Sequence, residues 1–373
     1  MAAPPGSILD RVLLWRDRLV ARPAFQRWAA SFPLTRPIAR RRARALFDLC
    51  AGFVYTQTLA ACLRLDLFAM LQGRPQDAAA VALRTGLTPD AAERLLSAAT
   101  ALRLLERRGD GRYGLGPLGA PLVGNAGLAA LVEHNTLLYE DLRDPVGLLR
   151  AGQGSAIADY FPYATVAAPQ QMGVDRVSPY SALMTATVVP LAAELLDAYP
   201  LGAHRCLLDV GGGEGTFASI ALGRHPQLRA MLFDLPPVVE LARSRLATAG
   251  LGDRVAMHGG SFRTDELPRG ADVITLVRVL LDHDDATVLS LLRRARAALP
   301  PGGVLLVAEP MAGERRAEMA GDVYFAMYLL AMGGGRARRP SQLRALLQEA
   351  GFARSRVIAT RYAVHTGLIA ATA

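Results

Sequence analysis

The chain contains no lysine. All 42 basic side chains are arginines, set against 33 acidic ones, for a formal net charge of +9. That bias follows a genome's base composition more readily than a physical demand, so it carries no functional weight alone. Cysteine is also scarce. Cys50, Cys62 and Cys206 are three in number and far apart, which fits neither a disulfide framework nor a CxxC metal knuckle. A reducing compartment is therefore the expectation, with no metal site. Long apolar runs are missing too. The most apolar window, Leu49 to Leu63, is 15 residues long and holds Thr and Gln, where a membrane-spanning helix needs about 20. The first residues, MAAPPGSILDR, lack the basic region and apolar core of a secretory signal. A cytoplasmic protein is expected.

What is present is a well-buried globular chain. Its hydrophobic share is 51% over 373 residues, which is long enough for two domains. Charge is uneven along it. The first fifty residues hold ten arginines against three aspartates, with Arg40, Arg41, Arg42 and Arg44 crowded into one or two helical turns. Such a segment is a solvated face or a dimer arm. It also suits peripheral docking on an anionic lipid surface, such as the inner membrane.

Residues 77 to 119 read as helix, turn, helix and a two-stranded wing. Thr88-Pro-Asp caps the second helix, and a Gly-Asp-Gly turn joins the two short strands. The second helix, DAAERLLSAATALRLL, offers Ala and Leu where a DNA reader would place Arg, Asn and Gln. An apolar helix of this kind is buried or at an interface, and no nucleic-acid partner is expected.

From Ala203 onward short apolar strands alternate with amphipathic helices: CLLDV, RAMLF, RVAMH, DVITLV and GVLLVA. This rhythm predicts a parallel α/β sheet covered on both faces. The last strands, around Arg356 and Val364, are expected as an edge hairpin. The loudest signal is LLDVGGGEGTFA, Leu207 to Ala218. A glycine turn between strand and helix lets a ligand approach backbone N–H groups closely. A nucleoside triphosphate would require a Lys and different spacing, and a dinucleotide would want GxGxxG. Both carry phosphates that Asp209 and Glu214 would repel. S-adenosylmethionine, with a sulfonium cation and no phosphate, suits acidic walls. An acidic residue closing the next strand should hold its ribose, and Asp234 stands 23 residues after Gly211.

Five segments in order, LLDVGGGEG, FDLPPVV, GGSF, VRVLLDHDD and GGVLLVAEPM, resemble the S-adenosylmethionine-dependent O-methyltransferases of the plant caffeic acid type. The stretches FQRWAASFPLTRPIARRRARALFDLCAGFVYTQ and EHNTLLYEDLRDPVGLL resemble the bacterial carotenoid branch, the demethylspheroidene (hydroxyneurosporene) O-methyltransferases. The resemblance implies a doubly wound Rossmann-like methyltransferase sheet with an N-terminal helical winged-helix dimerisation domain, working as a homodimer. The expected division is an Arg-rich arm (1–45), a dimerisation domain (46–185) and an S-adenosylmethionine-binding domain (186–373). The reaction it implies is methylation of a hydroxyl on an apolar acyclic carotenoid. A methyltransferase for another pigment or polyketide, including carbon methylation of a bacteriochlorophyllide, and a non-catalytic S-adenosylmethionine-sensing regulator stay open beside it.

By the same resemblance Asp209 orients the glycine turn, Gly211 and Gly213 lie against the methionine portion, Asp234 holds the ribose and Leu235 packs on adenine. GGSF has Gly260 where the family carries an adenine-binding aspartate, so that contact is missing unless Ser261 or a water replaces it; Ser261 and Phe262 are the cofactor-binding candidates here. The family's general base, a histidine, falls on Leu281. If the segment stays extended, His283 shares a face with residue 281 and can replace that base; if it enters a helical turn, the two side chains diverge. Glu309 matches the acidic partner of the base, and His134 is a further catalytic candidate. The acceptor pocket is expected from DYFPYA, YSALMTATVVP and the stripe Tyr324, Met327, Tyr328 and Ala331.

Overall fold

Strand residues alternate between two cores, and that alternation sets the architecture. Leu208 and Val210 enter one apolar cluster, with Ile274, Leu276, Leu305 and Val307. Leu207 enters the other, with Val273, Val277, Leu306 and Ala308. A sheet buried on both faces must be covered by helices on both, which is the parallel α/β solution. The computed structural model describes residues 8–161, 174–314, 316, 318–361 and 367–373.

The chain divides into two units, Met1–Gly124 and Asn125–Ala373. The first is helical: α1 (Ile8–Val20), α2 (Pro23–Ser31), α3 (Arg36–Arg64), α4 (Leu67–Gln72), α5 (Ala78–Thr85) and α6 (Pro89–Ala101), then the hairpin β1 (Leu105–Arg107) and β2 (Tyr113–Leu115). Thr88 caps α6 by accepting the Ala91 N–H, as its sequence predicts. Cys62, Leu67, Phe68, Leu96 and Leu105 form the core of the helix pair and its wing. Burial pushes the Cys62 thiol up to about 12, so it packs as a small hydrophobe. Helix α3 is long and apolar enough to cross a bilayer by length and composition, which the 15-residue window did not suggest. Its end nonetheless joins this core through Cys62, while Phe47, Leu49, Phe53 and Val54 stay exposed.

The second unit begins with α7 (Ala126–Asp141), α8 (Pro145–Ala151), α9 (Ala156–Tyr160) and α10 (Val174–Ala198). The expected boundary at 185/186 falls inside α10. A seven-stranded sheet follows, built from β3 (Cys206–Val210), β4 (Arg229–Asp234), β5 (Val255–Gly259), β6 (Val273–Val277), β7 (Val304–Glu309), β8 (Arg354–Ile358) and β9 (Gly367–Thr372). Their order is β5-β4-β3-β6-β7-β9-β8, with β9 antiparallel to both of its neighbours. The remaining helices are α11 (Thr216–Arg224), α12 (Pro236–Thr248), α13 (Asp285–Ala298), α14 (Ala326–Met332) and α15 (Pro340–Glu349), with a π-helical turn at Met319–Phe325 leading into α14. The edge hairpin is present as β8 and β9; Val364 lies outside the described residues.

The order reverses at β3: β4 lies on one side and β6 on the other. Open α/β sheets bind ligands at such a switch point, beyond the carboxyl ends of the strands. The glycine turn after β3 and the loop after β6 meet there.

Candidate active site

Backbone conformation builds the first half of the site. Gly211, Gly213 and Gly215 all adopt positive φ, at 68°, 56° and 77°, the left-handed region that glycine enters without steric cost. A Cβ on Gly211 would lie 2.7 Å from Val279 Cγ2, whereas one on Gly213 would meet nothing within 4 Å. Close approach to the loop after β6 therefore requires Gly211, while Gly213 faces open space with its amide turned toward Asp234. That amide donates to Asp234 Oδ2 (2.8 Å), and the Leu235 N–H donates to Oδ1 (2.7 Å). Burial raises the Asp234 carboxyl to about 6 against the pull of these two donors. Each oxygen keeps a lone pair for a diol.

Asp209 and Glu214 do not form the acidic walls expected from the sequence. Asp209 is 1% exposed and turned under the loop: Oδ1 accepts the Thr275 hydroxyl (2.7 Å), and Oδ2 lies 2.8 Å from where a Gly212 Cβ would stand. Burial lifts it to about 7. Glu214 is paired with Arg245 (3.2 Å) and reached by Thr185 (3.4 Å). Of the three carboxylates only Asp234 is neither fully buried nor ion-paired; Asp209 braces the turn, and the charge of Glu214 is offset. Ser261 is buried and caps its own turn, its N–H donating to Asp265 and its Oγ accepting from Arg263. Phe262 is half-buried beside it.

The loop after β6 departs from the extended reading. Leu280–Asp282 form a 3₁₀ turn and only His283 returns to extended backbone, so residues 281 and 283 do not share a face. Leu281 enters the aromatic cluster of the acceptor side. His283 instead packs edge-on to Phe262, with ring centroids 5.2 Å apart. Burial, reinforced by Arg263 and Arg338, lowers its imidazole to about 4. The condition for His283 to replace the missing base is not met.

Two buried groups impose that turn. Glu309, at the end of β7, is fully buried and accepts the Leu281 N–H through Oε2 (3.1 Å), while Oε1 has no partner. Burial raises it to about 8 against the pull of Arg338, which favours the neutral acid as the form that braces the loop. Arg338, also fully buried, grips the same loop. Its guanidinium donates to Leu280 O (2.8 Å), His283 O (2.6 Å) and Asp285 Oδ1 (2.8 Å). Sequence reading missed Arg338, because nothing in GGGRARRPS separates the buried arginine from its exposed neighbours.

The second half is built from side chains. Leu138, Ile157, Phe161, Leu281, Tyr328 and Met332 form a buried cluster, with Tyr160, Tyr324 and Met327 packed on it. The predicted stripe Tyr324, Met327, Tyr328 and Ala331 lies wholly within it. Pro162, Tyr163 and Ala164 of DYFPYA fall outside the described residues. His134 from α7 is buried here, with Nε2 2.7 Å from Tyr328 Oη and its ring 4.6 Å from that of Tyr160. Burial lowers it to about 4. Tyr324 donates to Asn135 Oδ1 (2.8 Å), and burial raises its hydroxyl to about 12. Sequence reading also missed Arg278. It sits at φ 57°, a strained conformation for a long side chain. Its guanidinium reaches Thr187 Oγ1 (2.7 Å) and Met184 Sδ (3.1 Å) on α10, and its charge pulls both tyrosine hydroxyls downward.

A glycine-lined crevice beside a half-buried carboxylate thus meets an apolar aromatic cluster across the loop after β6. Residues 47–125 match the O-methyltransferase dimerisation domain, and 170–353 match the O-methyltransferase domain. The chain is 43% identical over 341 residues to demethylspheroidene O-methyltransferase of Cereibacter sphaeroides, covering 91% of this chain and 89% of that one. This chain belongs to the O-methyltransferase family. The Rhodobacter capsulatus demethylspheroidene O-methyltransferase is 39% identical over 320 residues, 86% of this chain and 79% of its own. Human N-acetylserotonin methyltransferase, solved with S-adenosylmethionine, superposes with a TM-score of 0.73 at 25% identity, covering 89% of this chain and 97% of its own.

The protein is an S-adenosylmethionine-dependent O-methyltransferase, and its dimerisation domain supports a homodimer. The crevice fits that cofactor: Gly213 leaves room for close approach, Asp234 keeps free lone pairs, and residues 211–216 carry no basic side chain to demand a phosphate. Bound there, S-adenosylmethionine supplies an activated methyl group on a sulfonium.

Proposed function

We propose that this enzyme methylates the hydroxyl of an apolar acyclic carotenoid of the demethylspheroidene or hydroxyneurosporene type, giving a methoxy carotenoid. The observation that carries the reading is Leu281: an apolar side chain, 4% exposed and packed among aromatic rings, stands where the sequence motif would place a basic histidine. The substrates named for the two bacterial relatives support it. In this reading Asp234 binds the ribose, Leu235 and Phe262 flank the adenine with Ser261 behind them, and Gly211 and Gly213 accept the methionine portion. His283 acts through Phe262 on the cofactor side. The enzyme works from the cytoplasmic side, in peripheral contact with the membrane that dissolves its acceptor.

The chemistry asks little of a base. An alcohol with a pKa far above that of imidazole is not ionised in advance, so its proton leaves with or after methyl transfer. The O–CH₃ bond forms as the S–CH₃ bond breaks, and the oxygen, momentarily protonated, is a far stronger acid than an imidazolium of pKa about 4. We assign the proton to the His134–Tyr328 pair: Tyr328 accepts it while passing its own to His134 Nε2. Alignment and exclusion of water by the aromatic cluster provide the larger share of the rate.

Purified protein incubated with labelled S-adenosylmethionine and a detergent-dispersed hydroxycarotenoid should yield a labelled methoxy product identified by mass spectrometry. Label appearing only in a phenolic or macrocyclic pigment, or on carbon, would move the acceptor class elsewhere. Turnover no better than buffer with every acceptor, alongside tight duplex binding, would make the chain a regulator.

A further inference from the structure

The arm before the dimerisation match has an organisation that methyl transfer does not use. Helices α2 and α3 form a hairpin, closed by Thr35 Oγ1 donating to Ala29 O (2.8 Å), with Ala29 buried between them. The turn carries Phe32, Pro33 and Leu34, and Leu34 is 79% exposed. Behind it Trp28 stacks on Phe32, ring centroids 5.1 Å apart, and Phe25 packs on Trp28. Arg36, Arg40 and Arg44 recur at four-residue spacing along one face of α3. With Arg41, Pro33 and Pro37 they line a groove of about 510 Å³. None of these four arginines has a carboxylate within ion-pair distance among the described residues.

We propose that this hairpin tip is the membrane-docking element of the enzyme: Phe32, Leu34 and Trp28 enter the headgroup region of an anionic bilayer while Arg36, Arg40, Arg41 and Arg44 bind lipid phosphates. Charge complementarity favours an anionic surface, since basic side chains near such a surface each strengthen binding by about fivefold. The apolar tip favours a bilayer over a nucleic acid, because Leu34 and Phe32 gain nothing on a solvated phosphodiester chain, whereas aromatic and long basic side chains sit well at a membrane interface. A second copy of the chain is a weaker occupant. The matched dimerisation domain starts at residue 47, after the tip, and four facing arginines would meet their own charge across a two-fold axis. The proposal deepens the reading of a membrane-dissolved acceptor and rests on that reading for its purpose. Vesicle binding and methyl transfer are therefore measured separately, and either can fail alone.

The test is co-sedimentation of the full-length protein with vesicles of phosphatidylcholine alone or with 30% phosphatidylglycerol, with duplex DNA as a competitor. Binding should require the anionic lipid, fall steeply with added salt, and drop by about a hundredfold or more in a variant carrying Arg36→Gln, Arg40→Gln, Arg41→Gln and Arg44→Gln. Leu34→Ser should weaken it by several-fold without altering its salt dependence. Brominated lipids should quench tryptophan emission in the wild type and less in Trp28→Tyr. S-adenosylmethionine affinity, unchanged in every variant, shows that each is folded. Equal binding to neutral vesicles, no binding to anionic ones, an unaffected arginine variant, or displacement by DNA at lower concentration than lipid would each overturn the proposal.

Discussion

The two halves of the active site are made from different materials. On the proposed cofactor side, the atoms offered for recognition are largely backbone, shaped by glycines at 211 and 213 and pinned by one carboxylate, Asp234. On the acceptor side, they are side chains contributed by α7, α9 and α14 and by the loop after β6, far apart in sequence and joined by packing and by the His134–Tyr328 and Tyr324–Asn135 hydrogen bonds. Backbone geometry tolerates almost no substitution, because a Cβ or a lost anchor changes the path of the chain itself. A wall of aromatic and aliphatic side chains can be retuned one residue at a time. Conserving one reactant while varying the other is built into that difference.

The sharpest test of this contrast is Asp234→Ala. Losing a charged acceptor for two hydroxyls, along with the anchors of Gly213 and Leu235, should weaken S-adenosylmethionine binding by at least about a hundredfold, measured by calorimetry. Undiminished affinity would show that the crevice does not depend on its carboxylate. Gly211→Ala should cost about 1–3 kcal/mol of stability, since φ is 68° and the new Cβ would press on Val279; thermal denaturation reads it directly. On the acceptor side effects should be smaller and selective. Tyr328→Phe and His134→Ala should each slow turnover about tenfold with cofactor affinity intact, and the double variant should be little slower than either single one. His283→Ala should do the opposite, loosening cofactor binding severalfold through Phe262 while leaving turnover of the loaded enzyme within about threefold. If His283→Ala stops turnover instead, the base assignment passes back to it.

A pH-dependent effect belongs to Glu309. Its carboxyl is raised from 4.5 to about 8 in the folded protein, so it contributes stability that is full below pH 4.5 and is lost as pH rises toward 8. Glu309→Gln keeps an oxygen for the Leu281 N–H and has no proton to lose. Its melting temperature should exceed that of the wild type at pH 9 and converge with it near pH 5. His134 works in the other direction: its lowered pKa contributes stability above pH 6.5 that disappears as pH falls toward 4.

The cofactor side was legible because its determinants lie close together in the chain. Glycines between an apolar strand and a helix, followed by a carboxylate closing the next strand, report a switch-point crevice through local rules alone. The same sequence misled where the third dimension decides: Asp209 and Glu214 looked like ligand-facing walls until Thr275 and Arg245 claimed them. Whether His283 shared a face with residue 281 depended on a turn held by Glu309 and Arg338. Those two residues lie 26 and 55 positions beyond it, and no local pattern links them to it. The aromatic stripe leading into α14 was visible as a period of 3.6, but its partners on α7 and α9 were fixed by tertiary contacts, packing together with the His134–Tyr328 and Tyr324–Asn135 hydrogen bonds.

Leu281 has a consequence for which molecules this fold can discriminate. An acidic phenol profits from a neighbour that strips its proton early; an isobutyl group offers no such service and penalises any charge left beside it. On the proposed reading, a site faced this way would favour acceptors that remain neutral until the instant of bonding, and would reject by solvation those that arrive already ionised. Retargeting the enzyme toward aromatic alcohols would begin by installing an imidazole at 281, before widening any wall.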